Sequence, residues 1–230
     1  MRLRSQRVDN QRKLSMKSDT IKSQIEISAE INFPWCVTFF EKRGKEQYGE
    51  KFRIQQQDHD IIYKLLIYFL GNKPEADKLD IDLRKGILLT GPIGCGKTSL
   101  MSLMRFVPPP ERKHIMKPCR ELSFEFIQEG FEVISRYSKM SFNSDHPKVY
   151  CFDDLGAEQS LKYFGNECNV MGEVLLSRYD LFISQGMITH LTTNLSASEL
   201  ESMYGNRVRS RFREMFNLIA FDKDSMDKRI

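Results

Sequence analysis

The run Gly91-Pro92-Ile93-Gly94-Cys95-Gly96-Lys97-Thr98, continued by Ser99, has the spacing GxxxxGK[ST]. Glycines at 91, 94 and 96 let the backbone bend until successive N–H groups point inward, which makes a concavity suited to phosphate. Lys97 is then placed to reach the outer phosphates of a nucleotide, and Thr98 to put its hydroxyl on Mg²⁺. An ordinary glycine-rich turn with an exposed lysine is the alternative. It would not require a strand before the run and a helix after it.

Further along, Lys148-Val-Tyr-Cys-Phe-Asp153-Asp154 is an apolar stretch ending in two carboxylates. Strand ends are where α/β sheets bind ligands, so Asp153 is expected to hold Mg²⁺ through water and Asp154 to polarise an attacking water. A plain solvated turn is the alternative for the acidic pair. Ile188-Thr-His-Leu-Thr192-Thr193-Asn194 is a further strand with a polar end. Asn194 either contacts the γ-phosphate or lytic water, or caps the helix that starts near Ser196. In Asn206-Arg207-Val-Arg209-Ser-Arg211-Phe-Arg213, a helix puts Arg207 and Arg211 on one face and Arg209 and Arg213 on another. One pair can reach a neighbouring subunit's phosphate, or all can be a basic solvated face.

These groups need strands and helices to bring them together. The spacing of apolar residues predicts a helix over 55–70 stopped by Gly71, a strand over 86–90, a helix over 97–106 stopped by prolines, and one helix over 121–140. It then predicts a strand over 149–152, a helix over 170–185, a strand over 187–192, helices from Ser196 and from Arg207, and a strand over 217–221. Such alternation means a parallel, doubly wound α/β sheet.

The 230 residues, 40% hydrophobic, suffice for one substantial domain with an appendage. We divide them into an extension over 1–50 and a main domain over 51–230. Residues 1–21 are basic and are expected to be mobile when free. Phe33, Pro34, Trp35, Phe39 and Phe40 in the next stretch imply docking, in cis or in trans. A net charge of +4 argues against a general polyanion-binding surface and leaves local basic regions open. Five scattered cysteines without a CxxC pair read as reduced thiols. No apolar run is long enough to span a bilayer, and no leader-type segment opens the chain, so a cytoplasmic protein with no membrane partner is expected.

Taken together, GPIGCGKTS, VYCFDDLGAE, Leu175-Leu176-Ser177-Arg178-Tyr179, ITHLTTNLSASEL and YGNRVRSRFREMF resemble the AAA+ ATPases of the DnaC/IstB group. The resemblance covers about Phe52 to Phe221, and the LTTNLS and GNRVRSRF blocks are more specific to that group than the phosphate loop is. It implies a P-loop NTPase fold and ATP and Mg²⁺ as cofactors, with ADP as product. It also implies an ATP-dependent homo-oligomer that acts on DNA, which we take to be single-stranded.

By the same resemblance, Asn194 becomes a sensor of the γ-phosphate, Arg211 a finger reaching into the neighbouring subunit's site, and Arg207 a second contact across that interface. Phe52 and Ile54 fall where the pocket for the nucleotide base begins. The group's partners are a replicative helicase or a transposase; we expect a DnaC-like helicase loader, with an IstB-like transposition helper or an ATP-dependent recruitment switch as alternatives. Two departures stand out. Asp-Asp replaces the usual Asp-Glu, so hydrolysis is expected to be slow or to need help from Glu158. The chain also runs only a few residues past its last strand, so no substantial C-terminal lid is expected.

Overall fold

The computed structural model describes residues 26–27, 30–143, 146–158, 161–163 and 166–229. The basic stretch over 1–21 therefore lies outside the described residues. The chain forms two units, one with residues up to Ile81 and Ser99–Lys113, the other with Asp82–Thr98 and the residues from His114 onward.

The first unit begins with a short antiparallel ladder, Glu26–Ile27 against Glu30–Ile31, and then three helices: α1 (Phe33–Tyr48), α2 (His59–Leu70) and α3 (Lys73–Lys78). Asn32 caps α1 by accepting from the Trp35 N–H at 3.2 Å, and Pro34 sits in the first turn, where its missing N–H costs nothing. Phe33 meets His59 and Tyr63 edge-on at 5.4 and 5.7 Å. Phe39 stacks on Trp35 and meets Phe106 edge-on at 6.0 Å, while the Arg43 guanidinium lies 5.4 Å from both phenyl rings. The aromatic residues that the sequence placed in cis or in trans thus pack within this unit. Helix α2 is buried from Leu65 through Leu70 and ends at Gly71, whose left-handed φ of 73° lets its N–H return to the last turn.

The second unit is built on five strands: β1 (Gly86–Thr90), β2 (Ile115–Pro118), β3 (Tyr150–Leu155), β4 (Thr189–Thr193) and β5 (Phe216–Ala220). Their order across the sheet is β5-β1-β4-β3-β2, with every neighbouring pair parallel. With them in this unit run α5 (Cys119–Glu129), α6 (Glu132–Tyr137), α7 (Val170–Gln185) and α8 (Ala197–Met215), while α4 (Lys97–Met104) has its first two residues here and the rest in the first unit. Apolar runs such as Ile87-Leu88-Leu89 are buried, as expected for strands covered on both faces. At Gly86 a side chain is excluded, because a Cβ would come within 1.6 Å of the Thr189 carbonyl oxygen.

Three features depart from the periodicity. Among the described residues strand β2 pairs only with β3, and its half-exposed Met116-Lys117-Pro118 shows no alternation to mark it; Pro118 is tolerated because the strand is an edge. The helix expected over 121–140 is two helices, since Gly130 takes φ 67° between α5 and α6. Conversely, the two helices expected after Ser196 run end to end as α8, broken only at Gly205 with φ 81°.

One buried side chain ties the sheet to its helices. Arg178 on α7 donates to Thr189 Oγ1 at 2.7 Å and to the carbonyls of Tyr137, Lys148 and Ile188 at 2.8, 3.1 and 2.9 Å. Its guanidinium lies against the rings of Tyr150 and Phe152. Burial pushes its pKa down to about 9, still above neutrality, so it stays charged and saturates carbonyls that would otherwise be orphaned. All five cysteines are buried and none forms a disulfide. Among the described residues no helix is long and apolar enough to cross a membrane.

Candidate functional site

Strand β1 delivers Thr90 to the sheet edge, residues 91–96 turn, and α4 opens at Lys97. Gly94 and Gly96 hold φ values of 79° and 103°, which side-chain-bearing residues adopt only under strain. Lys97 is buried, and its ammonium donates to the carbonyls of Gly91 and Pro92, each at 2.8 Å. Cys95 is buried beside it, while Ile93 at the loop's crest is exposed. A glycine-rich loop running into a helix N-terminus presents backbone N–H groups and a positive dipole end, the local chemistry of a phosphate site.

The sheet order sets β4 between β1 and β3, so the ends of all three strands share one edge. There Thr98 donates its hydroxyl to Asp153, with its Oγ1 2.9 and 3.0 Å from the two carboxylate oxygens. Thr192 completes the group: its hydroxyl donates to Asp153 Oδ1 at 2.6 Å and accepts from the Asp154 N–H at 2.8 Å. Asp153 is buried. Burial raises its pKa above the usual carboxylate value, the hydroxyls of Thr192 and Thr98 oppose that rise, and the neighbouring Asp154 adds to it.

Asp154 behaves differently. It is exposed, has φ 59°, and lies where the β3–β4 register shifts, Thr193 pairing with Leu155. Bulges of this kind redirect a side chain at a strand end, and a strained non-glycine residue there motivates a functional reading. Adjacent carboxylates are thereby separated in role, one buried against hydroxyls and one turned to solvent.

Thr98 and Asp153 offer hard oxygen donors that already converge. This suits Mg²⁺, which binds through one or two protein oxygens and completes its shell with phosphates and water. Among the described residues no group of three or more His, Cys, Asp or Glu side chains could hold a metal by itself. Thr98 and Asp153 would hold such an ion by two oxygens and leave its other positions to phosphate and water.

Asn194 stands exposed just beyond β4. The capping role open to it from sequence belongs to Ser196, which accepts from the Glu199 N–H at 3.3 Å while the Glu199 carboxylate accepts from the Ser196 N–H at 2.7 Å. On α8, Arg207 and Arg213 are exposed, Arg209 pairs with Glu201, and Arg211 lies over the Tyr179 ring of α7 at 4.5 Å. The Tyr179 hydroxyl in turn donates to Glu214 at 2.8 Å. The arginines are thus not a uniform solvated face: Arg209 and Arg211 have partners of different kinds.

Glu158 is buried and accepts from the Gly156 N–H at 2.8 Å and from the Tyr204 hydroxyl. Phe52 and Ile54 belong to the first unit. There the Phe52 ring stacks on Tyr48 at 5.6 Å and fills the space beside Gly44, and the Ile54 N–H donates to Glu41 at 3.5 Å. Thr192 and Tyr179 were visible only as members of sequence blocks. Nothing local marked the first as the bridge between two carboxylate residues or the second as the seat of an arginine.

No protein-family model matches the sequence, and no curated protein matches it. Solved structures do. The crystal structure of DnaI aligns with 74% of this chain and 88% of its own, at 18% identity and a TM-score of 0.51. The DnaC helicase loader aligns over 75% of this chain and 95% of its own, at 19% identity and a TM-score of 0.49. DnaA from Aquifex aeolicus, bound to AMPPCP, aligns over 76% and 50%, at 14% identity and 0.48. At these identities the likeness is one of architecture: the chain shares with the DnaI structure a fold built on a parallel, helix-flanked sheet.

Proposed function

We propose that the protein binds and hydrolyses MgATP and acts in DNA replication as a helicase loader of the DnaC type, assembling with copies of itself in an ATP-dependent way. The observation that carries the nucleotide part is the convergence of Thr98, Asp153 and Thr192 beside the glycine loop and Lys97. In this reading the loop N–H groups and Lys97 hold the phosphates, and Thr98 and Asp153 hold Mg²⁺. The ion, when bound, neutralises charge on the transferred phosphoryl group. Asp154, redirected by its bulge, orients the attacking water, and Asn194, just beyond the end of β4, is read as the sensor of the γ-phosphate. Glu158 is a structural partner of Tyr204 rather than a helper of that water.

Arg211 is read as the residue that reaches a neighbour's γ-phosphate, with Arg207 beside it, and its position over Tyr179 as the rest position of that side chain. Single-stranded DNA, a helicase partner and the role of residues 1–50 are supported by the sequence blocks and the basic amino-terminal composition alone. Turnover measured with Mg²⁺ and single-stranded DNA tests the enzyme: wild type should exceed Lys97→Ala clearly. Arg211→Ala should bind ATP nearly as wild type does and lose turnover, and mixing it with Lys97→Ala should restore part of the activity. Absence of restoration at every mixing ratio would sink the shared site. Wild-type turnover no higher than that of Lys97→Ala would leave a nucleotide-dependent recruitment switch.

A further inference from the structure

Beyond β5, the segment Asp222–Arg229 turns back onto the phosphate loop. Phe221 starts the return by donating its N–H to the Thr90 carbonyl at 2.8 Å. An Asx turn follows, with the Asp224 N–H donating to Asp222 Oδ1 at 3.0 Å. Lys228 then makes two contacts with the loop: its backbone N–H donates to the Gly94 carbonyl at 3.0 Å, and its ammonium donates to the Cys95 carbonyl at 2.6 Å. The same ammonium lies 5.1 Å from the centre of the Phe221 ring.

Neighbouring residues fit this seat closely. A Cβ at Gly94 would fall 2.0 Å from Asp227 Oδ1, and one at Gly91 would fall 2.6 Å from the Cβ of Phe221. Asp227 is itself fixed by Arg229, whose Nε and Nη2 donate to its two oxygens at 2.9 and 2.6 Å. Gly94 is therefore needed for the close approach of this segment, and Gly91 for that of Phe221 before it, as well as for backbone bending.

We propose that Lys228 is a positioning residue for the phosphate loop, bracing it through the carbonyls of Gly94 and Cys95. The carbonyl and N–H of a trans peptide point in opposite directions. Fixing the Cys95 carbonyl on Lys228 therefore turns the Gly96 N–H away from Lys228, leaving it available to an anion. The ammonium also polarises that peptide, which strengthens its N–H as a donor. Lys228 thus supplies order and a positive charge to the loop from outside it. This inference rests on the loop's reading as a nucleotide site only for its functional consequence; the brace itself is a property of the free protein.

Hydrogen exchange and nucleotide titration on the full chain test the two parts separately. In Lys228→Met, amides of residues 91–96 should exchange faster without nucleotide while peptides from β3 and α7 keep their protection. Affinity for a fluorescent ADP should fall about tenfold, the scale of a lost charge-assisted hydrogen bond. Lys228→Arg should retain both properties, and Lys223→Met, the same charge change in the same segment, should leave both unchanged. Unchanged exchange at 91–96 in Lys228→Met overturns the brace, as does an equal effect of Lys223→Met. If wild type binds no nucleotide while the exchange difference appears, the brace stands and the nucleotide reading falls.

Discussion

At the scale of single residues, the site depends on hydroxyls as much as on charges. Thr192 holds the Asp153 carboxylate and the Asp154 amide through one oxygen. Thr192→Val keeps the shape and removes that bridge; if Asp153 holds Mg²⁺ as proposed, turnover should fall about 10- to 100-fold, the range for partners that orient a metal ligand, with ATP affinity changed only a few-fold. Steady-state rates beside equilibrium binding make the distinction, and an equal loss in both would assign Thr192 to binding alone. Tyr179 offers a second case. Its ring seats Arg211, and cation–aromatic contacts at exposed sites are worth about 0.5–1 kcal/mol. Tyr179→Leu should leave folding and ATP affinity near wild type and shift turnover by up to about fivefold, whereas Tyr179→Phe should behave as wild type. If both variants lose activity equally, the hydroxyl bond to Glu214 is the part that matters.

At the scale of elements, the strands and helices that frame the site were legible because their apolar residues fall into buried runs or helical stripes. Gly86–Thr90 and Val170–Gln185 match their sequence bounds. Strand β2 escaped because an edge strand of four residues with a lysine and a proline carries no periodic signal. The break at Gly130 escaped because a lone glycine is compatible with a helix until its φ is known. Site residues followed the same logic. Asp153 was readable from its strand, but the bulge that redirects Asp154 depends on the register with β4, a property of two strands together. Arg178 was quoted only as part of a sequence block, yet it joins α6, α7, β4 and the chain entering β3 through four acceptors. Arg178→Met should cost about 3–5 kcal/mol by stranding buried carbonyls, lowering the thermal midpoint by roughly 10 °C. Arg178→Lys should recover little, since an ammonium cannot span acceptors spread around a planar fork. Thermal unfolding followed by circular dichroism checks both, and a wild-type midpoint for Arg178→Lys would contradict the geometric requirement.

At the scale of the whole molecule, the proposed shared site makes assembly and chemistry one equilibrium. Sedimentation with MgATP should show a heavier species that Lys97→Ala fails to form. A protein that still sediments as a monomer with MgATP would mean that Arg211 serves a site it never meets. The molecule also carries its own means of observing its parts separately. Its one tryptophan, Trp35, is stacked on Phe39 in α1 at 5.1 Å, within the first unit, whereas the glycine loop and its carboxylates belong to the second. Indole emission is therefore an optical address for the first unit alone. A denaturant titration read at once by that emission and by nucleotide binding would give two midpoints, and their coincidence or separation reports whether the halves of this chain melt as one.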